Sequence, residues 1–289
     1  MLNSGALSLT PSAAGGATWY GGRGVFAGGQ SSNVIDYINI ATTANALDFG
    51  NLTAARFRCA AMSNGTRGVF AGSTVIDFIT IATTGNATDF GNPITTIDRG
   101  TGVSDGTKGV WHSGETKDII EYITIATTGN ATDFGNRTVS AGNAGSWNNS
   151  TRGVFAGGYP PNGGVNTIDY ITIATTGNAT DFGNLTVSRW EVGGTGDDTR
   201  CVFAGGHDGA NKNTIDYITT ATTSNATDFG DLLSSLMGCD GASNNTRGVF
   251  GGGAPSNVIQ YFTVQTTGNT TDFGDLTISR RAPGGLSGD

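Results

Sequence analysis

Residues 151–189 read TRGVFAGGYPPNGGVNTIDYITIATTGNATDFGNLTVSR, and the chain carries this unit six times in recognisable form. The Phe of its Asp-Phe-Gly element falls at Phe49, Phe90, Phe134, Phe182, Phe229 and Phe273, at steps of 41, 44, 48, 47 and 44 residues. Within the copy, residues 152–158 form a short β-prone run closed by a glycine pair. Residues 167–173 alternate apolar and polar side chains and are rich in β-branched types, the pattern of a strand. Residues 174–178 supply turn formers, with Gly177 and Asn178 suited to positive φ. Residues 181–187 read as a third strand and 189–196 as a glycine-rich fourth. No helical period appears. Four short strands at this period are what propeller blades produce. The sequence therefore predicts an all-β, six-bladed propeller of four-stranded blades.

Composition agrees. Of 289 residues, 36% are hydrophobic and 13% charged, too apolar and too periodic for a disordered chain. The 48 glycines follow no triplet, so they read as turns rather than collagen. A net charge of −8 argues against a nucleic-acid binder, which would present a basic face. Cys59, Cys201 and Cys239 are odd in number and widely spaced, and read as free buried thiols rather than disulfides or a zinc site. The first ten residues lack the basic and apolar regions of a signal peptide, and no stretch is apolar for long enough to span a membrane. Sequons at Asn86, Asn130, Asn178 and Asn225 read as a product of Thr- and Asn-rich composition.

A strand ending in Gly-Gly, a variable loop, a strand with an acid beside Tyr, an aromatic and a final Arg resembles the kelch repeat. Gly153 to Gly158, Asp169 and Tyr170, Phe182 and Arg189 occupy those places. The departures are Asp-Phe-Gly where kelch repeats carry Trp, and a terminal Arg that recurs clearly only at Arg56, Arg189 and Arg280. The wording DYITIATTGNATDFGNLT is also similar to repeat arrays in virion proteins of marine tailed phages (cyanophage-like). The first resemblance implies a kelch-like fold. The second implies a virion structural protein in many copies, with other virion proteins as partners.

In kelch-like order the glycine-rich strand is innermost. Both ends of the chain resemble it, residues 277–289 and residues 9–20, which leaves one inner strand too many. Pairing of terminal segments should close the ring and remove sheet edges. The C-terminal strand is the favoured closing piece, with residues 1–20 as an arm and 21–289 as the propeller. The opposite assignment stays open.

Motifs present six times read as scaffold. Asp-Phe-Gly binds magnesium in kinases, but the remaining kinase elements are missing. Instead, a cation precedes each Gly-Val-aromatic strand or its equivalent (Arg23, Arg67, Lys108, Arg152, Arg200, Arg247) and each Asp-Phe-Gly supplies a carboxylate (Asp48, Asp89, Asp133, Asp181, Asp228, Asp272). These are expected to form a ring of ion pairs at one end of the blades. No calcium loop pattern occurs, so neither metal nor cofactor is expected. His112 and His207 lack a nucleophile motif, and a carboxylate pair for glycoside hydrolysis stays open, with Glu115, Glu191, Asp98 and Asp240 as its candidates. No catalytic residue stands out, and an enzyme is not expected. The variable loops after the Gly-Gly strand are the expected binding rim, with Tyr159, Pro160, Pro161, Trp190, His207 and Asp208 as candidates. The expected function is a non-enzymatic tail, fibre or capsid-decorating component of a phage particle, a rigid docking or adhesion disc. A glycan-binding or adhesion propeller is the alternative, with a host-surface glycan or receptor as ligand. Trp19, Trp111, Trp147 and Trp190 do not recur at one repeat position, which speaks against six equivalent sugar sites.

Overall fold

A computed structural model describes residues 20–114, 116–254 and 256–289. Among these are 23 strands and no helix, hence none long and apolar enough to cross a membrane. The first repeat supplies β1 (Arg23–Ala27), β2 (Val34–Asn39) and β3 (Leu47–Asn51). β4 (Ala60–Ser63), β5 (Arg67–Gly72), β6 (Val75–Thr80) and β7 (Thr88–Gly91) form a second sheet. β8 (Thr101–Ser104), β9 (Lys108–His112), β10 (Ile119–Thr124) and β11 (Thr132–Asn136) form a third. β12 (Gly145–Asn148), β13 (Arg152–Gly158), β14 (Val165–Thr172) and β15 (Thr180–Asn184) form a fourth. The remaining repeats build one seven-stranded sheet from β16 (Gly193–Gly196), β17 (Arg200–Ala204), β18 (Lys212–Thr219), β19 (Thr227–Ser243), β20 (Arg247–Ala254), β21 (Val258–Thr263) and β22 (Thr271–Asp275). Finally β23 (Gly284–Gly288) pairs antiparallel with β1, Arg23 facing Gly288 and Ala27 facing Gly284.

The result is a propeller-like ring of antiparallel sheets. Inner strands touch in the cyclic order β23, β4, β8, β12, β16, β19 and back to β23. The sheets differ from the expected six separate four-stranded blades: four are four-stranded and one has seven strands. The cause is β19, which runs unbroken for 17 residues. Residues 227–231 pair with β18 and residues 237–243 with β20, while Leu236 still faces Lys212 across a register break. The intervening Asp-Leu-Leu-Ser-Ser-Leu lacks Gly, Pro or Asn, so nothing in it ends the strand. The expected arm, and the alternative closing strand within it, lie outside the described residues except at Tyr20. The hydroxyl of Tyr20 donates to Asp198 at 3.3 Å and accepts from Asn245 at 3.1 Å.

Neighbouring repeats bury apolar side chains between them, which is why the second strand of each repeat is apolar on both faces. Val154, Ile168 and Phe182 of the fourth repeat pack with Cys201, Phe203 and Ile218 of the fifth. Each such aliphatic or aromatic residue contributes about 1.5–3 kcal/mol on burial. The glycine of Asp-Phe-Gly permits this approach. Gly135 has φ +146°, and a Cβ there would lie 2.4 Å from the Gly177 carbonyl of the next repeat. Gly177 N donates to Phe134 O at 2.8 Å, and Asn178 Oδ1 accepts from Asn136 N at 3.0 Å. Asn86, Asn130 and Asn225 make the same bond to Asn51, Asn92 and Asn184. The sequon asparagines are thus clasps between repeats, and each outer strand is capped by the following turn rather than left as an open edge.

Candidate functional site

Ion pairs do join the repeats, but not those expected. The Asp-Phe-Gly carboxylates are exposed, and among the described residues none is ion-paired to Arg23, Arg67, Lys108, Arg152, Arg200 or Arg247. The pleat explains the correction. Arg23 faces Asn39 and shares a face with Tyr37, whereas Asp48 lies opposite Asp36, three positions along β2. Alternation in β3 also turns Asp48 away from Phe49, whose ring stands edge-on to Tyr37 at 5.9 Å. The cation instead lies over the second-strand ring, as Arg152 lies 4.5 Å from the Tyr170 centroid. It also donates to carbonyls of the next repeat, Arg152 Nη1 reaching Thr220 O and Ala221 O at 3.0 Å.

The acid that takes a partner is the one inside the Ile-Asp-Tyr strand. Arg137 binds Asp169 at 3.0 Å, Arg189 binds Asp216 at 3.1 Å, Arg280 binds Asp36 at 2.6 Å, and Arg56 binds Asp77. All eight side chains are buried. Burial lowers the guanidinium pKa of Arg189 and Arg280, and the facing Asp216 and Asp36 oppose that shift. A Thr one residue or a few residues away completes each clasp: Thr186 donates to Asp216 through its hydroxyl at 2.6 Å and its amide at 3.1 Å. Two junctions break the rule. Where Ile97 and Leu236 replace the arginine, Glu121 and Gln260 replace the aspartate. Glu121 takes Ile94 N, Thr95 and Ser113, and Gln260 takes Leu233 N and Thr270. Ile94 and Leu233 stand at those junctions, exposed, where the others carry Thr.

The axial channel is closed at the loop end by side chains just before the inner strands. Arg58, Arg99, Asn143, Glu191 and Ala282 are non-glycine residues with φ between +49° and +63°, and Gly238 (+69°) holds the sixth place. Five of the six backbones are linked in an arc about the axis. Ala282 N donates to Gly238 O, Gly238 N to Glu191 O, Glu191 N to Asn143 O, and Asn143 N to Arg99 O, at 2.6–3.0 Å. Buried Arg58 crosses to the far wall, donating to Asn143 Oδ1 at 3.3 Å and to Ala144 O and Val192 O at 3.1 Å. Its pKa is lowered by burial. Arg281, stacked over Phe57 at 5.7 Å, binds Glu191 across Gly238. A Cβ on Gly238 would lie 2.9 Å from both partners.

Beneath this lid is a cavity of about 30 Å³, lined by small polar residues including Ser63, Thr101, Ser146, Asn148 and Ser287. That is room for about two waters. Asp240 faces it, half-exposed to that space, and accepts from Gly285 N at 2.9 Å and Gly241 N at 3.0 Å. Burial pushes its carboxyl up to about 6, against the pull of those amides and of Arg58.

On the rim, the structure brings three of the six candidate residues together. Trp190 lies 4.6 Å from the Tyr159 ring and 4.9 Å from His207. Trp190 and His207 also exchange backbone hydrogen bonds, and Tyr159 N donates to Gly142 O. His207 Nδ1 meets Asn211 Oδ1 at 3.1 Å. Asp208 turns outward to Lys212 at 2.9 Å, and Pro160 and Pro161 form the outer bend of the loop. Gly164 packs against the Trp190 ring, where a Cβ would lie 2.7 Å away. Trp190 is therefore enclosed on several sides, an anchor for two loops more than an open platform.

Chemically reactive groups are not gathered. Among the described residues no three of His, Cys, Asp and Glu could hold a metal ion together. His112 is buried, and burial with nearby Arg137 drives its pKa down to about 3. Of the acids outside the repeat pattern, Glu191 is bound to Arg281, Asp98 lies 3.8 Å from Arg99, Asp240 faces the cavity, and Glu115 lies outside the described residues. Burial pushes the three thiols up to about 12.

No family model matches the chain. No curated protein matches it either.

Proposed function

We propose that the chain is a non-enzymatic docking disc, a structural component of a phage particle that binds other virion proteins. The observation that carries the reading is the contrast between frame and rim. The buried arginines of the frame are consumed by repeat-to-repeat clasps and by the channel lid, and its exposed Asp-Phe-Gly carboxylates recur alike in every repeat. The loops of the fourth and fifth repeats, by contrast, depart from the repeat to gather Tyr159, Trp190 and His207 at the surface. Trp190 braces the two loops, and the partly exposed Tyr159 and His207 beside it give the rim the aromatic character that protein interfaces favour. The virion setting rests on the similarity of the repeat wording to arrays in phage virion proteins.

In the same reading the seven-stranded sheet works as two kelch-like blades, giving a six-bladed ring. Its support is that β19 pairs with β18 through one half and with β20 through the other. Residues 1–20 serve the assembly as an arm, and residues 21–289 form the disc.

Cryo-electron microscopy of particles containing the chain tests this. Ordered copies seated through the face that carries Tyr159 and Trp190 are the expected result. Particles that assemble normally without the chain, or copies seated with that face open to solvent, would overturn it.

A further inference from the structure

The wide turn between the second and third strands encloses a hollow at the perimeter in four of the repeats. In the fourth repeat it measures about 370 Å³ and is lined by Tyr170, Thr172, Thr175, Asn178 and Thr180. The equivalent residues line hollows of about 270, 350 and 230 Å³ in the second, third and sixth repeats, with Phe78 in place of the tyrosine in the second. The chemistry recurs: one or two aromatic rings, three or four threonine hydroxyls and one amide, with no charged side chain in the lining. Asn178 Oδ1 is occupied by Asn136 N, which fixes the amide and leaves its nitrogen as the remaining donor group. Asp181 alternates with Thr180 and is exposed on the other face of its strand. The cation over the ring, Arg152 at 4.5 Å from the Tyr170 centroid, is already bound to the Thr220 and Ala221 carbonyls, so the hollow offers an anion no uncommitted cation among the described residues.

We infer that these perimeter hollows are repeated binding sites for single units of a neutral saccharide. Hydroxyls that both donate and accept, beside one apolar wall and without charge, match a sugar ring. Volumes at or below the low end of ligand pockets suit one ring rather than an oligosaccharide. The hollows are open, so each site alone binds weakly, and strength arises when several engage one glycan-coated surface. Recurrence of Tyr or Phe here replaces the tryptophan platform that the sequence lacks. The inference is independent of the docking reading, because none of these residues belongs to the aromatic rim.

The test uses the full chain with glucose, galactose, mannose and N-acetylglucosamine. Sialic acid serves as the charged control. Saturation-transfer NMR reports contact and native mass spectrometry reports the number bound. Contact with at least one neutral sugar, none with sialic acid, and more than one molecule bound per chain are expected. The variant Thr172→Val/Thr175→Val/Thr180→Val should lower the maximum number bound by one without moving the thermal midpoint. No transfer from any neutral sugar at tens of millimolar would overturn the inference. So would a single site that survives this variant and disappears in Trp190→Ala, which would place sugar binding on the rim instead.

Discussion

Replacing Arg189 with Leu removes one member of a pair in which neither side chain is exposed. Asp216 would keep the Thr186 hydroxyl and amide at 2.6 and 3.1 Å but lose its only counter-charge within ion-pairing distance among the described residues. Breaking a buried pair from one side costs about 3–5 kcal/mol. At about 2 °C of midpoint per kcal/mol for a chain of this size, the expected loss is about 6–10 °C. Adding Asp216→Asn should recover most of it, because the stranded charge disappears. The chain contains the precedent, since Leu236 and Gln260 hold the equivalent places one junction later. A thermal and denaturant double-mutant cycle measures this, with a coupling of more than about 2 kcal/mol expected. A double variant whose loss equals the sum of the single losses would refute the claim that clasp charges matter mainly as a pair.

Three further outcomes follow from other features. Gly135→Ala should destabilise by more than about 1 kcal/mol because its Cβ meets the Gly177 carbonyl at positive φ, while Gly177→Ala, with open space, should be nearly neutral in the same melt. Asp240 has a folded pKa near 6, above its ordinary value of 3.8, so its contribution is fully present below that value and is lost as pH rises through 6. Relative to Asp240→Asn, the native chain should therefore lose about 1–1.5 kcal/mol between pH 5 and 7.5 in denaturant titrations, and a flat difference would count against the assignment. The three buried thiols should resist maleimide at pH 7.5 in the folded chain and label together on unfolding, as intact-mass analysis would show.

The strand pattern was legible because each repeat alternates β-branched residues and ends in turn formers. What escaped was which side of each strand meets the next repeat. Asp-Phe-Gly looked like a source of carboxylates, yet its Phe and Gly make the contacts and its Asp points outward. The acid that matters, Asp169 or its equivalents, sits between two apolar residues in the strand, where burial calls for a partner three-dimensionally near but 32 residues away in the chain for Arg137. Arg137 itself was missed because it stands earlier in its repeat than Arg56, Arg189 and Arg280 do. The continuity of β19 had a sequence signal, a link without Gly, Pro or Asn. On the rim, loop length alone singled out Tyr159 and His207, but their convergence on Trp190 is set by the packing of two repeats against each other.

The chain of backbone hydrogen bonds from Ala282 through Gly238, Glu191 and Asn143 to Arg99 acts as a hoop. A repeat in this arc cannot tilt outward without straining a link on each side, so the cost of opening falls on its neighbours as well. Pressure on one linked repeat is thereby shared along the arc from Ala282 to Arg99, so these repeats should resist being shed one at a time. The two junctions without an Arg–Asp clasp are where such a hoop would first give way.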